Sequence, residues 1–91
     1  MLEEIKKRLG IQDINVYDDE LESLIDAALA DMKASGVTTD MAEAVEPDGR
    51  VLLCVTMFVK ANYGDDRTNS NLYTQRYREN VFRLCQEEGG S

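Results

Sequence analysis

The chain of 91 residues has no histidine and no tryptophan, and it has only one proline and two cysteines. Without histidine, a Ser–His or Cys–His catalytic pair cannot form, and the most common general base is missing. Cys54 and Cys85 have neither a CxxC spacing nor histidine partners, which argues against a structural zinc site. Each cysteine falls within an apolar helical pattern, so we expect buried, reduced thiols.

The usual phosphate-binding and calcium-binding loops are also absent from the sequence. The glycine pair at 89–90 lacks the lysine of a phosphate-binding loop. The acidic cluster at 13–20 does not fit an EF-hand, because the pattern counted from Asp13 needs glycine and glutamate where Asp18 and Leu24 stand. We therefore expect no enzymatic activity, no bound metal and no cofactor.

Long apolar runs are missing as well. No run approaches the length of a membrane span, and the opening segment lacks the apolar stretch of a signal peptide. A chain of this length is sized for one small domain with one core. These features predict a cytosolic protein that does not contact a membrane.

Negative charge, by contrast, is abundant and unevenly distributed. The net charge is −8, and residues 11–50 carry eleven acids and two bases, a balance of −9. Tight binding to DNA needs a concentrated basic surface, so a generic phosphate-binding role is not expected. Two interpretations remain: a solvated face that keeps the protein soluble, or a surface that lies beside DNA without binding it.

The clearest structural pattern covers residues 18–36. Its apolar residues recur at steps of three and four and line one face of a helix; they are Leu21, Leu24, Ile25, Ala28, Leu29 and Met32. Asp18 and Asp19 precede this stripe, and Glu22 follows Asp19 at capping-box spacing, which predicts side-chain capping of the first turn. Gly36 suits the left-handed position that ends a helix.

A short helix is predicted over residues 2–9, ended by Gly10. Leu2, Ile5 and Leu9 form its apolar side, and its three basic residues fill the remainder. The connector 11–17 contains four large apolar residues, which we expect to cover one end of the core: Ile11, Ile14, Val16 and Tyr17.

A central helix is predicted in the second half of the chain. From Val51 to Val59 all residues but one are apolar, and the segment continues to Tyr63 before Gly64. This length exceeds that of a typical strand, so the run indicates a helix that is covered on most sides. The middle of the core is then formed by Val55, Phe58 and Val59.

The last helix is predicted over residues 72–88, after a polar loop at 64–71 in which Asn71 is a plausible cap. Its apolar stripe consists of Tyr73, Tyr77, Val81, Leu84 and Cys85, while Arg76, Glu79, Arg83 and Glu87 face outward. The pattern as a whole predicts one all-α domain at 1–88 with about four helices, one short and three longer. A long loop separates the second from the third, and residues 89–91 form a frayed tail.

The order of these segments resembles the head–tail connector (adaptor) family of tailed bacteriophages and prophages, whose members are often described as DNA-packaging or head-completion proteins. The opening has the form Leu-x-x-Ile-Lys-x-x-Leu-Gly, here Leu2, Ile5, Lys6, Leu9 and Gly10. The acid-headed helix has the form Asp-x-x-Leu-x-x-Leu-Ile-x-x-Ala, here Asp18, Leu21, Leu24, Ile25 and Ala28. A variable arm and an apolar helix follow, ending in Tyr63 with Arg67 four residues later.

This resemblance implies a virion protein at the head–tail junction, assembled in the host cytoplasm. Such a protein forms a ring on the portal, extends the DNA channel without specific DNA binding, and receives the next connector or a stopper or tail protein. The link at 37–48 is then a contact arm towards a neighbour, or else a plain surface loop. The candidate subunit and portal contacts are Thr38, Asp40, Met41, Arg67, Tyr73, Arg76, Arg78 and Arg83.

The same residues also have ordinary structural explanations, and another function is possible. The arginines of the last helix also fit an ordinary solvated face with local pairs such as Arg83–Glu87, and Tyr73 and Tyr77 also fit a partly buried core. The competing function is a small acidic helical regulator or interaction module that acts as a monomer or dimer. A carrier protein needs a modified serine at a helix start, whereas Ser23 lies inside the second predicted helix.

Overall fold

Helices make up the regular structure of the computed structural model, which describes residues 1–64 and 68–89. Within these ranges there is no β-strand. The helices are α1 (Leu2–Leu9), α2 (Asp18–Ser35), α3 (Thr39–Ala42), α4 (Gly49–Asn62) and α5 (Ser70–Leu84), followed by a π-helical turn at Cys85–Gly89. The predicted all-α class is confirmed. One difference is α3, a single turn inside the link that was expected to be a long loop.

The apolar run at 51–59 forms the middle of α4 and the centre of the core. Val51, Val55 and Val59 are completely buried, because α4 packs against α5 most extensively and against α2 and α1 as well. Phe58 is only partly buried, and its ring meets that of Tyr77 edge to face with centroids 5.2 Å apart. The predicted central helix is confirmed, and a strand at this position is excluded.

The apolar stripe of α2 faces this core as its spacing predicted. Leu21, Ile25, Ala28 and Met32 are buried, while Leu24 and Leu29 pack against the cluster from its edge. Gly36 ends the helix at a φ of 120°, a left-handed backbone conformation that side chains disfavour. Its N–H donates to the carbonyl of Lys33 at 3.2 Å.

The start of α2 differs from the predicted capping box. Tyr17 occupies the cap position, and no side chain accepts a hydrogen bond from the first turn. The Asp18 carboxylate lies beside the ammonium of Lys6 instead, at 2.9 Å. Lys6, expected on the outer side of α1, is buried there. The capping prediction was wrong because the helix begins at Asp18, so Asp18 and Asp19 both lie within the first turn instead of at the cap position. The Asp18 carboxylate is in addition directed to Lys6.

The connector 11–17 covers one end of the core less completely than predicted. Ile11 packs against the core cluster, but Ile14 and Tyr17 are exposed and Val16 exposes 79 % of its surface. Backbone hydrogen bonds from the N–H of Ile14 to Ile11 and from that of Asp18 to Asn15 fold the connector into tight turns. These turns direct most of its apolar side chains to solvent.

The five helices form one compact body. Its radius of gyration, 12.7 Å, is close to the value expected for a single domain of this length. The last helix begins two residues earlier than predicted, at Ser70, and its cap position is Asn69 instead of Asn71. Of the predicted frayed tail, residues 90 and 91 lie outside the described residues.

Candidate interaction surfaces

The segment 37–48, predicted to be a contact arm, is tied to the body at its first residues. Val37 is buried and belongs to the core cluster. Thr38 caps the start of α3, and its hydroxyl oxygen accepts a hydrogen bond from the N–H of Met41 at 3.3 Å. Thr38 and Asp40 are exposed, whereas Met41 packs against the core. Two of the three predicted contact residues of the arm are therefore accessible to a partner.

The middle of this arm projects between two charged anchors. Glu43 accepts a hydrogen bond from the Lys33 ammonium at 2.6 Å, which ties the arm to α2. Asp48 caps α4 at the other end of the arm. Between them, Val45 exposes 98 % of its surface and Glu46 is also exposed. Exposed single apolar residues are common on proteins, so Val45 matters only if a complementary surface exists.

Arg50 organises the start of α4. The Asp48 carboxylate accepts hydrogen bonds from the backbone N–H of Arg50 at 2.7 Å and from its guanidinium at 2.9 and 3.0 Å. These bonds lower the pKa of Asp48 to about 2. The same guanidinium reaches Glu87 at 3.1 Å. Glu87 is thus paired with Arg50, and a local Arg83–Glu87 pair is not among the ion pairs of the described residues.

The outer face of α5 carries three exposed arginines, Arg76, Arg78 and Arg83. Within the described part of the chain, none of them lies within ion-pair distance of a carboxylate. One acid, Glu79, stands on the same helix. This basic helix is unusual in so acidic a chain, and its charges are available to a partner. Arg67, the remaining predicted contact, lies outside the described residues.

The two tyrosines of α5 occupy different environments. Tyr77 is buried, and its hydroxyl donates to the Asp31 carboxylate of α2 at 2.6 Å. Burial, and then the bond to Asp31, raise the pKa of Tyr77 well above its ordinary value. Tyr73 is half-buried, and the Lys60 ammonium lies 5.6 Å from the centre of its ring, a cation–π distance. Tyr77 is therefore a core residue, while Tyr73 keeps an accessible edge.

Phe82 was not singled out from the sequence. It is nevertheless the most exposed aromatic residue among those described, with 67 % of its surface exposed. An open groove on the outer face of α5 runs beside it, with Arg78 and Arg83 in its lining. A second groove between α2 and α5 shares Phe82 and Arg78 and reaches Asp31. The helical period alone places position 82 outside the stripe of Tyr77, Val81 and Leu84, which could have identified it as exposed.

Most acidic side chains of residues 11–50 are exposed. Of the eleven acids in residues 11–50, nine are exposed and the other two are half-buried. Several belong to α2, among them Glu22 and Asp26, which are exposed beside the edge of its buried stripe. The −9 balance of this stretch is therefore presented to solvent or to a partner.

The described helices place the chain in the class of small all-α proteins. A model of the phage connector protein family matches residues 1–91, the entire chain. The chain therefore belongs to the phage connector protein family. A search of curated proteins and a search of solved structures gave no significant match.

Membership in this family has direct consequences. The family is structural, and it implies that the chain is a component of the virion. It also indicates interaction with other phage head or tail proteins. Among the described residues, no helix combines the length and the apolar character needed to cross a membrane.

Proposed function

We propose that the chain is a head–tail connector (adaptor) of a tailed phage or prophage that assembles as a ring on the portal and extends the DNA channel. The match of the whole chain to the phage connector family carries this proposal. The partners are the portal protein on one side and the next connector or a stopper or tail protein on the other. Assembly takes place in the host cytoplasm, and the finished site is the head–tail junction.

The acidic surface supports a role beside DNA. Duplex DNA carries about one negative charge per 1.7 Å of its axis, so an acidic lining repels it over roughly a Debye length of 8 Å. A channel with such a lining lets DNA pass without holding it. The exposed acids of residues 11–50 supply this lining if their face is turned to the centre of the ring.

The arrangement of helices supports a ring. A closed ring of identical subunits needs two different contact faces on each copy. Here α4 lies between α2 and α5, which touch each other far less than each touches α4. The two outer helices differ in charge, because α2 is acidic and α5 carries Arg76, Arg78 and Arg83. The basic face of α5 favours contact with an acidic surface of a neighbouring copy other than the one that lines the channel.

The proposal is tested by mixing the purified chain with the portal protein of the same phage. We expect the chain to co-sediment with portal assemblies, and electron microscopy to show an added ring coaxial with the portal channel. Portal alone and the chain alone serve as controls. A chain that does not bind the portal but binds duplex DNA at low salt with base preference would contradict the connector role. That result would favour a small acidic regulator.

A further inference from the structure

We propose that the arm tip of one copy, at Val45, docks beside Phe82 on α5 of a second copy. This inference rests on the proposed function, because it names the residues that join neighbouring subunits. The partner is a second copy of this chain. The two surfaces belong to different parts of the fold, the 37–48 link and the last helix.

The receiving surface is centred on Phe82. This ring is 67 % exposed and lies between two grooves, one on the outer face of α5 and one between α5 and α2. Arg78 precedes it by one helical turn and Arg83 follows it directly. Both line the outer groove together with Glu79 and with Glu87, which is already paired with Arg50. Aromatic and arginine side chains at one spot are the composition typical of interface anchors.

The inserting surface is the arm tip. Val45 is almost fully exposed, while the anchors Glu43 and Asp48 hold the arm on either side of it through Lys33 and Arg50. Because the arm is held on both sides, the Val45 side chain loses little conformational freedom when it binds. Val45 and Phe82 are the two most exposed large apolar residues of the described chain apart from Val16.

The charges around the two surfaces are complementary. The arm at 37–48 contains four acids and no base, whereas α5 contains three arginines and one glutamate. Glu43 and Asp48 are engaged within their own copy, but Glu46, next to Val45, makes no ion pair within the described residues. When Val45 contacts Phe82, Glu46 comes beside the arginines that flank the ring.

The contact is heterologous, because each copy gives its arm and receives another arm at a different place. Contacts of this type build rings or open chains instead of closed pairs. A mutual pair, in which Val45 meets Val45 or Phe82 meets Phe82, would bring like charges together. The charge pattern therefore favours a head-to-tail series of copies.

Cross-linking between two chains that each carry one introduced surface cysteine tests the pairing even when association is weak, because the remaining native thiol, Cys54, is buried. One chain carries Val45→Cys and the other Phe82→Cys, with different tags, both in a Cys85→Ser background that keeps a donor towards Ser35. After mixing and mild oxidation, we expect the mixed dimer to form at least about fivefold faster than either like dimer, a ratio that a modest contact provides. A chain with Val16→Cys, exposed on the connector, replaces the Val45→Cys chain as the control.

Two results would overturn the pairing: a Val45–Phe82 cross-link no faster than the Val16–Phe82 control, or faster like dimers. Charge reversal gives an independent readout in the same assay. We expect Glu46→Arg or Arg83→Glu to slow the cross-link about fivefold, and the double variant to recover most of the rate. Arg76→Glu, on the same helix but outside the lining of both grooves, should change it little. A double variant as slow as the single ones would contradict the proposed contact.

Failure of this inference is distinguishable from failure of the proposed function. If rings form on the portal but the Val45–Phe82 cross-link does not, the connector role stands and the neighbouring copies meet elsewhere. If the cross-link forms but the chain does not bind the portal, the contact stands and the connector role is wrong.

Discussion

The ammonium of Lys6 lies 2.9 Å from the Asp18 carboxylate and joins α1 to the start of α2. Lys6 is 1 % exposed and also donates to the side-chain oxygen of Asn15 at 2.7 Å. The contact with Asp18 is an ion pair at close range without the alignment of a hydrogen bond. Because a buried charge without partners is costly, this cluster fixes how the connector 11–17 leaves α1.

Removal of the Asp18 carboxylate should destabilise the protein. Asp18→Ala leaves the buried ammonium with Asn15 alone, and we expect a loss of about 2 kcal/mol in the free energy of unfolding. Lys6→Met should cost less, because it replaces the charge by an apolar chain of similar length and leaves Asp18 partly solvated. Urea unfolding followed by circular dichroism measures both. Asp19→Ala, at an exposed neighbour, is the control, and an equal loss there would contradict the role of the ion pair.

The same substitution should affect stability strongly at one valine and hardly at all at another, ten positions away. Val55 is completely buried in α4, whereas Val45 is almost fully exposed on the arm. Val55→Asp buries a charge without a partner, and we expect the isolated chain to lose its cooperative unfolding transition. Val45→Asp should change the free energy of unfolding by less than about 0.5 kcal/mol. A folded Val55→Asp variant, judged by circular dichroism and thermal unfolding, would show that the core has been misplaced.

Tyr77 should make stability depend on alkaline pH. Its phenol ionises near pH 10 in the unfolded chain, but burial and the bond to Asp31 raise its pKa in the folded state. The unfolded state therefore loses this proton first, and stability falls as the pH rises above 10. Tyr77→Phe removes the hydroxyl and should cost about 1 kcal/mol near neutral pH. The difference between the two proteins should shrink above pH 10, and a constant difference in urea unfolding would contradict the assignment.

The two thiols should differ in reactivity. Cys54 is buried in α4, and desolvation raises the pKa of its thiol to about 11, so little reactive thiolate forms. Cys85 is half-buried at the end of α5. With a chromogenic disulfide reagent, we expect one thiol to react in the folded protein and the second only after unfolding. A Cys85→Ser variant that still reacts rapidly when folded would contradict this order.

Helix positions were readable from the sequence because apolar spacing reflects which residues must leave water. The stripe from Leu21 to Met32 and the run from Val51 to Val59 each predicted a helix that the structure contains. Gly36 marked the end of α2 for a local reason, the left-handed backbone that glycine adopts freely. These features depend on neighbours within one or two turns, so the local sequence is enough to predict them.

Features that join distant segments were not readable in the same way. Lys6 looked like an ordinary surface base, because its partner Asp18 is brought to it only by the path of the connector. Glu87 lies four residues from Arg83 but pairs with Arg50 of another helix. Local spacing gives the possible partners of a charge, and packing selects among them.

The candidate surfaces show the same division. The arm at 37–48 and the arginines of α5 were identified from composition, but Met41 turned out to face the core and Val45 to project from it. Phe82 became notable only when the grooves beside it were visible. A segment without helical period gives no rule for which side chains point inward.

The sequence alone determined the all-α class, the positions of the long helices, the acidic character of residues 11–50 and the likeness to phage connectors. Each follows from composition, from the 3.6-residue period or from the order of short motifs along the chain. The tertiary structure alone decided that Lys6 is buried, that most of the connector is exposed, and that Val45 faces solvent. Those outcomes depend on the packing of α1, α2 and α5 around α4, which sets distances between residues far apart in the sequence.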